Sequence, residues 1–170
     1  MEGEYFIFKK GKSAGKSIEQ VAAEDYLRLK WIYLNILKNE SGFKERTREV
    51  LERLNKFVPQ IQCAAKRPGC EGNARKISIA ISYNIFTGEY YGLSVSTSYI
   101  YCNNRLCLDS IDYEKAVIYP IKFDILENLP PFPLYIRRDV QKVLLRCAGV
   151  PEKKTKEACK QWIDNLVIER

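Results

Sequence analysis

Apolar residues recur near helical spacing at Ile18, Val21, Ala22, Tyr26, Leu29, Ile32, Tyr33, Ile36 and Leu37, which predicts a helix or a broken pair of helices over 18–38. Ser17 stands just before this run, where a hydroxyl can accept an orphan helix N–H, and reads as its N-cap. Asn39 to Gly42 supplies a stop and a new start. A second amphipathic helix is predicted over 43–57, with Val50, Leu51 and Leu54 turned inward and Pro59 ending it. The period then changes from helical to two. Ile77, Ile79 and Ile81 alternate with Ser78, Ala80 and Ser82, Thr87-Gly88 marks a turn, and 90–101 is aromatic and β-branched, so 75–101 reads as a hairpin. Shorter strands are expected over 4–8 and 116–123, with Pro120 confining the latter to an edge or a bend. A proline linker at 129–133 precedes two closing helices, over 136–147 and 152–167. The expected fold is α+β. A helical amino-terminal module (1–58) leads into a four-cysteine β-rich region (59–128) and then a carboxy-terminal helical hairpin (129–170), able to pack as one compact domain.

Composition narrows the functional classes. The chain has 170 residues, of which 46% are hydrophobic, and a domain of this size buries about 70% of its unfolded surface without needing staples to fold. The net charge is +7 and the pI about 9.0, a sign that suits phosphates, acidic partners or anionic surfaces. No apolar run reaches the ~18 residues of a membrane span. The acidic, then aromatic start at Met1 to Phe6 is unlike a secretory signal, so an intracellular, cytoplasmic chain is the default expectation. Histidine is absent altogether, which removes the commonest general base and metal ligand.

Candidate chemistry concentrates in cysteine. Cys63 and Cys70 stand on one side of the β-rich stretch, and Cys102 and Cys107 on the other, as C-x6-C and C-x4-C. A hairpin bringing two such pairs together can build a tetrahedral thiolate cage for Zn2+. Pro68-Gly69 and Asn103-Asn104 let each short loop fold back so that both of its sulfurs point inward. Disulfides and unlinked buried thiols are the other readings. The bias toward Lys, Glu, Ile and Tyr matches hyperthermophile composition, where intracellular disulfides persist. Cys147 and Cys159 lie near two helix ends, either to cross-link them as a disulfide or to serve as small buried hydrophobes. Lys66, Arg67, Arg75, Lys76 and Arg105 surround the four cysteines, and Tyr83, Phe86, Tyr90, Tyr91, Tyr99 and Tyr101 lie on the hairpin. Cations beside aromatics on a sheet surface suit phosphates and stacked bases, although alternation would send half of those rings into the core. The pattern resembles zinc-ribbon-like folds, with loops longer than the usual C-x2-C.

Lys9, Lys10, Lys12 and Lys16 crowd a turn containing Gly11 and Gly15. Backbone N–H groups there, with the start of the following helix, could hold an anion, whereas a plain solvated turn would need the glycines only for positive φ. The run Gly11-Lys-Ser-Ala-Gly15-Lys-Ser is not a Walker loop, because three residues separate its glycines where four are required. Taken with Phe8, Ile18, Val21, Asp25-Tyr26 and Trp31-Ile32, the turn resembles the carboxy-terminal accessory module of exodeoxyribonuclease X and related proteins. That resemblance spans about 5–37 and implies a nucleic-acid-handling role without a nuclease. Trp31, at helical spacing, is expected in the core. Further on, Leu144 to Ala158 is similar to a helix-hairpin-helix motif, with Pro151 standing where a second glycine would donate its N–H, so a plain helical hairpin is the favoured reading.

The expected function is zinc-dependent nucleic-acid binding, to DNA or RNA, without catalysis, as an accessory factor alongside a protein partner and with no membrane. The alternative is a structural or protein-interaction module. A third class is a metal-dependent nuclease using Asp109, Asp112, Glu114 and Asp124, which form no recognisable two-metal spacing.

Overall fold

The computed structural model describes residues 5–37, 41–83, 90–94, 100–109, 116–129 and 134–169, and of 41, 80–83, 90–94, 116 and 134–135 the backbone alone. The fold is α+β, and the chain divides into two compact units, Met1–Val58 with Ala148–Arg170, and Pro59–Cys147. The first boundary falls between Val58 and Pro59. The second splits the expected hairpin over 129–170, whose two helices belong to different units.

The first unit is helical. Helix α1 (Ile18–Glu24) opens with a capping box in which the Ser17 hydroxyl accepts from Gln20 N–H while the Gln20 side chain accepts from Ser17 N–H. The predicted helical run breaks at Asp25, whose φ of −155° leaves the helix and whose carboxylate then caps α2 (Tyr26–Asn35) through Arg28 N–H at 3.0 Å. Helix α3 (Ser41–Asn55) buries Val50, Leu51 and Leu54 as expected. Helix α7 (Lys156–Asp164), capped by Thr155, packs on α1 and α3. Its buried Trp162 donates from Nε1 to Ala148 O at 2.6 Å. Arg53 Nε donates to Ile163 O at 2.8 Å, satisfying a carbonyl at the end of α7. Arg46 donates to Glu19 (2.9 Å), Glu49 (2.9 Å) and Asp164 (3.1 Å), which offsets the burial of Glu19.

Two expectations for this unit are corrected. The strand over 4–8 reduces to one isolated bridge, Ile7 to Ser17, because the Gly-Lys turn folds back at once and offers no longer partner. Trp31 is not core. It is 57% exposed, with Leu34 at 60% and Ile36 at 57%, because at ~100° per residue it stands about 200° around α2 from Leu29, while the stripe of Tyr26, Leu29 and Ile32 faces inward.

The second unit is built on β1 (Lys76–Tyr83), which pairs antiparallel with β2 (Tyr90–Ser94), β3 (Ile100–Tyr101) and β4 (Ala116–Pro120). Ile77 pairs with both Ile100 and Tyr119, and Ala80 with both Ser94 and Ala116. Strands β3 and β2 therefore follow one another along one edge of β1, and β4 takes the other edge. This is the predicted hairpin, with β4 on a lateral edge ending at Pro120, which has no N–H to extend the ladder. Ile77 and Ile79 are buried, and so is Ser78 on the opposite face. Short helices α4 (Arg105–Leu108) and α5 (Ile125–Asn128) and the longer α6 (Leu134–Cys147) complete the unit, with α5 packed on α6. The Thr87-Gly88 turn lies outside the described residues. No described helix is long and apolar enough to cross a membrane.

Candidate metal centre

The first cysteine pair sits on a loop closed by backbone pairing. Ala74 N–H donates to Ile61 O at 2.8 Å and Cys63 N–H to Gly72 O at 2.7 Å, bringing the two ends of the loop side by side. Inside it Cys70 N–H donates to Arg67 O at 2.9 Å. Lys66, Gly69 and Gly72 take positive φ (46°, 76° and 83°), the conformation that reverses so short a loop. The second pair follows β3. Cys102 leaves the strand, Asn104 caps α4 by accepting from Leu106 N–H at 3.0 Å, and Cys107 lies on that single turn. The two loops are tied together, since Asn104 Nδ2 donates to Gly69 O at 2.8 Å and Asn103 N–H to Glu71 Oε2 at 3.3 Å. They are also anchored to the hairpin through Ala64 N–H to Ile100 O (2.9 Å) and Arg75 N–H to Tyr101 O (2.7 Å).

These ties bring Cys63, Cys70, Cys102 and Cys107 together with all four sulfurs within 4.8 Å of one another. Cys63, Cys102 and Cys107 are buried with Tyr101, and Cys70 is half-buried against them. The Cys70 and Cys102 sulfurs stand 3.8 Å apart. A tetrahedron with metal–sulfur bonds near ~2.3 Å has edges of about 3.8 Å, whereas a disulfide needs about 2.05 Å. All six cysteines are free thiols. The four sulfurs thus have the number, chemistry and spacing to hold a metal ion.

The surrounding backbone is arranged for thiolate charge. Gly72 N–H donates to Cys70 Sγ at 3.4 Å. Burial opposes ionisation of Cys63, but N–H groups of Cys102, Lys66 and Ala65 outweigh it and bring that thiol down to about 7. Burial pushes Cys107 up to about 12, reinforced by the neighbouring sulfurs and against the N–H of Arg67. Cys70 gains from the Gly72 N–H, yet burial and the Cys63 and Cys102 sulfurs leave its thiol raised. Thiolates this close cannot all ionise alone, and a divalent cation at their centre removes the repulsion.

The cations expected around the cage divide. Lys66 and Arg67 are exposed on the first loop, and Arg105 is exposed on the second, its Nε 3.9 Å from Asp109. Arg75 turns inward, donating to Pro59 O at 3.2 Å, and Lys76 is half-buried on β1. Tyr101 is buried in the sulfur cluster and offers no stacking face. The side chains of Tyr83, Tyr90 and Tyr91, and Phe86 and Tyr99 entirely, lie outside the described residues, as do Asp112 and Glu114.

In the first unit Lys9, Lys10 and Lys12 are exposed, while Lys16 pairs with Glu24. Gly11 and Gly15 take φ of 75° and 80°. The N–H groups of Ala14, Gly15 and Lys16 close the turn on Gly11, Phe8 and Ser13 carbonyls, and Ile18 N–H goes to Phe6 O. With Ser17 and Gln20 capping α1, those donors are spent within the chain, so the anion-holding features left in the turn are lysine side chains. Cys147 and Cys159, expected either to cross-link or to serve as buried hydrophobes, lie in different units. Both thiols are free and buried, and burial pushes them up to about 12 and about 11.

Asn104 was legible only as part of a turn. Its role as cap of α4 and tie between the loops follows from its place three residues before Cys107, a position where Asn caps a helical turn.

No family model matches the chain, and no curated protein and no solved structure matches it. The resemblance to the exodeoxyribonuclease X module accordingly has no family match behind it.

Proposed function

We propose that this chain is a non-catalytic, zinc-containing nucleic-acid-binding module, acting in the cytoplasm as an accessory factor of a nucleic-acid-processing system. The observation that carries the reading is the convergence of four sulfurs at tetrahedral spacing, with exposed Lys66, Arg67 and Arg105 on the two loops that close around them. Zinc bound by four thiolates supplies no open position for water or substrate and serves as a structural cross-link. The loops then become rigid, and their cations are presented at fixed positions. A net charge of +7 supplies the attraction to phosphate, and DNA and RNA both fit it.

Two measurements on the purified full-length chain test this. Metal analysis is expected to find about one zinc per chain. Binding to labelled oligonucleotides is expected to weaken with salt, and to weaken further in the Lys66→Gln/Arg67→Gln/Arg105→Gln variant with zinc content unchanged. A metal-loaded chain with no affinity for any oligonucleotide sinks the nucleic-acid half of the proposal while leaving the metal half.

A protein-interaction role is the second reading, favoured by the exposed Trp31, Leu34 and Ile36 along the second half of α2 and just after it. Its signature is concentration-dependent association in the absence of nucleic acid that is lost in Trp31→Ser/Leu34→Ser, measured by sedimentation.

A further inference from the structure

The Gly-Lys turn and the segment before α7 are far apart in sequence but meet at one side chain. Gln20 accepts from Ser17 N–H at 3.0 Å through its carbonyl oxygen and donates to Lys154 O at 2.7 Å through Nε2. The Lys154 backbone therefore lies within roughly 8 Å of Ser17, two hydrogen bonds and one amide group away. This ties the element that follows Lys9, Lys10 and Lys12 to the segment that carries Lys153, Lys154 and Lys156, all in the first unit. Five of these are exposed and Lys156 is half-buried. Among the described residues none of the six takes part in an ion pair, unlike Lys16, which Glu24 neutralises.

Cations outnumber acids on this face, where Glu152 is the one carboxylate within 152–156 and the turn from Lys9 to Lys16 has none. None of the exposed large hydrophobic residues lies in the turn or in 152–156. Protein interfaces bury an apolar core inside a polar rim, and this face has no such core. Gly11 and Gly15 leave nothing within 4 Å of where a Cβ would stand, so the turn's backbone is open to close approach. Exposed lysine side chains on a turn of small residues suit a chain of phosphates.

We propose that the turn and the 152–156 segment form one composite face that holds the sugar-phosphate backbone of a nucleic acid, with Gln20 as the residue that positions the two halves. This rests on the nucleic-acid reading above and adds a second contact region, in the other unit from the cysteine loops.

The test uses the full-length chain and a fluorescein-labelled DNA of 20 base pairs, its single strand and the matching RNA, titrated between about 50 and 200 mM salt. The variants are Lys10→Gln/Lys12→Gln, Lys153→Gln/Lys154→Gln and, for comparison, Lys66→Gln/Arg67→Gln, all exposed positions where the fold is checked by circular dichroism. Each of the first two pairs is expected to make the slope of log affinity against log salt shallower by about two on the duplex, at ~0.9 per phosphate contact. If the wild-type chain binds but one or both of those pairs leaves the slope unchanged, the composite face is wrong and the nucleic-acid reading survives. If the wild-type chain binds none of the three probes, the reading fails and the face with it. If polyglutamate of equal charge displaces the duplex as well as unlabelled duplex does, the face is one for acidic polypeptides and the proposal is overturned.

Discussion

Replacing Cys107 with serine removes one corner of the sulfur cluster and is the sharpest perturbation of the centre. Cys107 is fully buried, held on α4 by the Asn104 cap, and its sulfur faces the N–H of Arg67. Structural zinc sites bind with about 10–16 kcal/mol at pH 7. Shared over four thiolates this is about 2.5–4 kcal/mol each, so the loss of one lowers affinity by roughly two to three orders of magnitude. The damage is expected to stay local. The second unit keeps a core of Ile77, Ile79, Ile121, Phe123, Leu126, Val140 and Leu144 that does not depend on the sulfurs. Zinc affinity, read by competition with a chromophoric chelator, should fall by that factor, with far-ultraviolet circular dichroism nearly unchanged. Hydrogen exchange should accelerate at the amides of Cys63, Ala64 and Cys70, whose bonds to Gly72, Ile100 and Arg67 close the loop. Cys159→Ser is the control, a buried thiol outside the cluster that should leave zinc affinity untouched. The reasoning is refuted if the purified chain carries disulfides among these four cysteines by mass spectrometry, or if Cys107→Ser holds zinc as tightly as the parent.

Three further predictions follow from the geometry. Gly69→Ala should destabilise the second unit by about 1–2 kcal/mol from the left-handed backbone alone, and by more because its Cβ would stand 3.0 Å from Asn104 Nδ2; a chemical-denaturation midpoint equal to that of the parent would refute it. Partial burial works against the charge of Asp164, but hydrogen bonds from Lys160 and Arg46 outweigh it and hold the carboxyl below its ordinary value. A depressed folded value means that this stability is present above the unfolded pKa near ~3.9 and is lost as pH falls through the folded value, so Asp164→Asn should flatten the acid limb of a urea midpoint measured against pH. Trp31→Ala should change stability by no more than about 0.5 kcal/mol, as for a surface site, where a core tryptophan would cost about 3–5 kcal/mol, and thermal melts decide between the two.

The longer helices and the hairpin were legible because local rules fix them, whereas the single turns α4 and α5 were not. Ser17 with Gln20 is a capping box whatever the helix packs on, and Ile77-Ser78-Ile79 alternates whatever covers the sheet. Trp31 was misplaced for a physical reason. Its apolar bulk outweighed its position, for at ~100° per residue it lies about 200° around the helix from Leu29, off the stripe of Tyr26, Leu29 and Ile32 that the core covers. The division into units was not legible either. Membership of α7 in the first unit depends on contacts with α1 and α3 more than 100 residues earlier, such as Arg53 to Ile163 O with a separation of 110, and no local pattern encodes them.

The cysteine pairs show why spacing alone under-determines a thiolate centre. Loops of C-x6-C and C-x4-C are longer than a short knuckle, yet what a buried thiolate requires is backbone N–H groups aimed at sulfur, not a particular loop length. The longer first loop meets that requirement with three left-handed residues. Lys66 reverses the chain so that its own N–H and that of Ala65 face Cys63, Gly69 brings its carbonyl to Asn104, and Gly72 returns its N–H to Cys70. Two of these are glycines, for which positive φ carries no steric penalty, and the third is a lysine that bears a cost of roughly 1–2 kcal/mol. A non-glycine residue keeps such a conformation when its surroundings over-determine it. At Lys66 the surroundings are the sulfur of Cys63, so the strain and the metal centre are two sides of one arrangement. Relaxing Lys66 would take an N–H from Cys63, whose thiol those backbone groups hold down against burial.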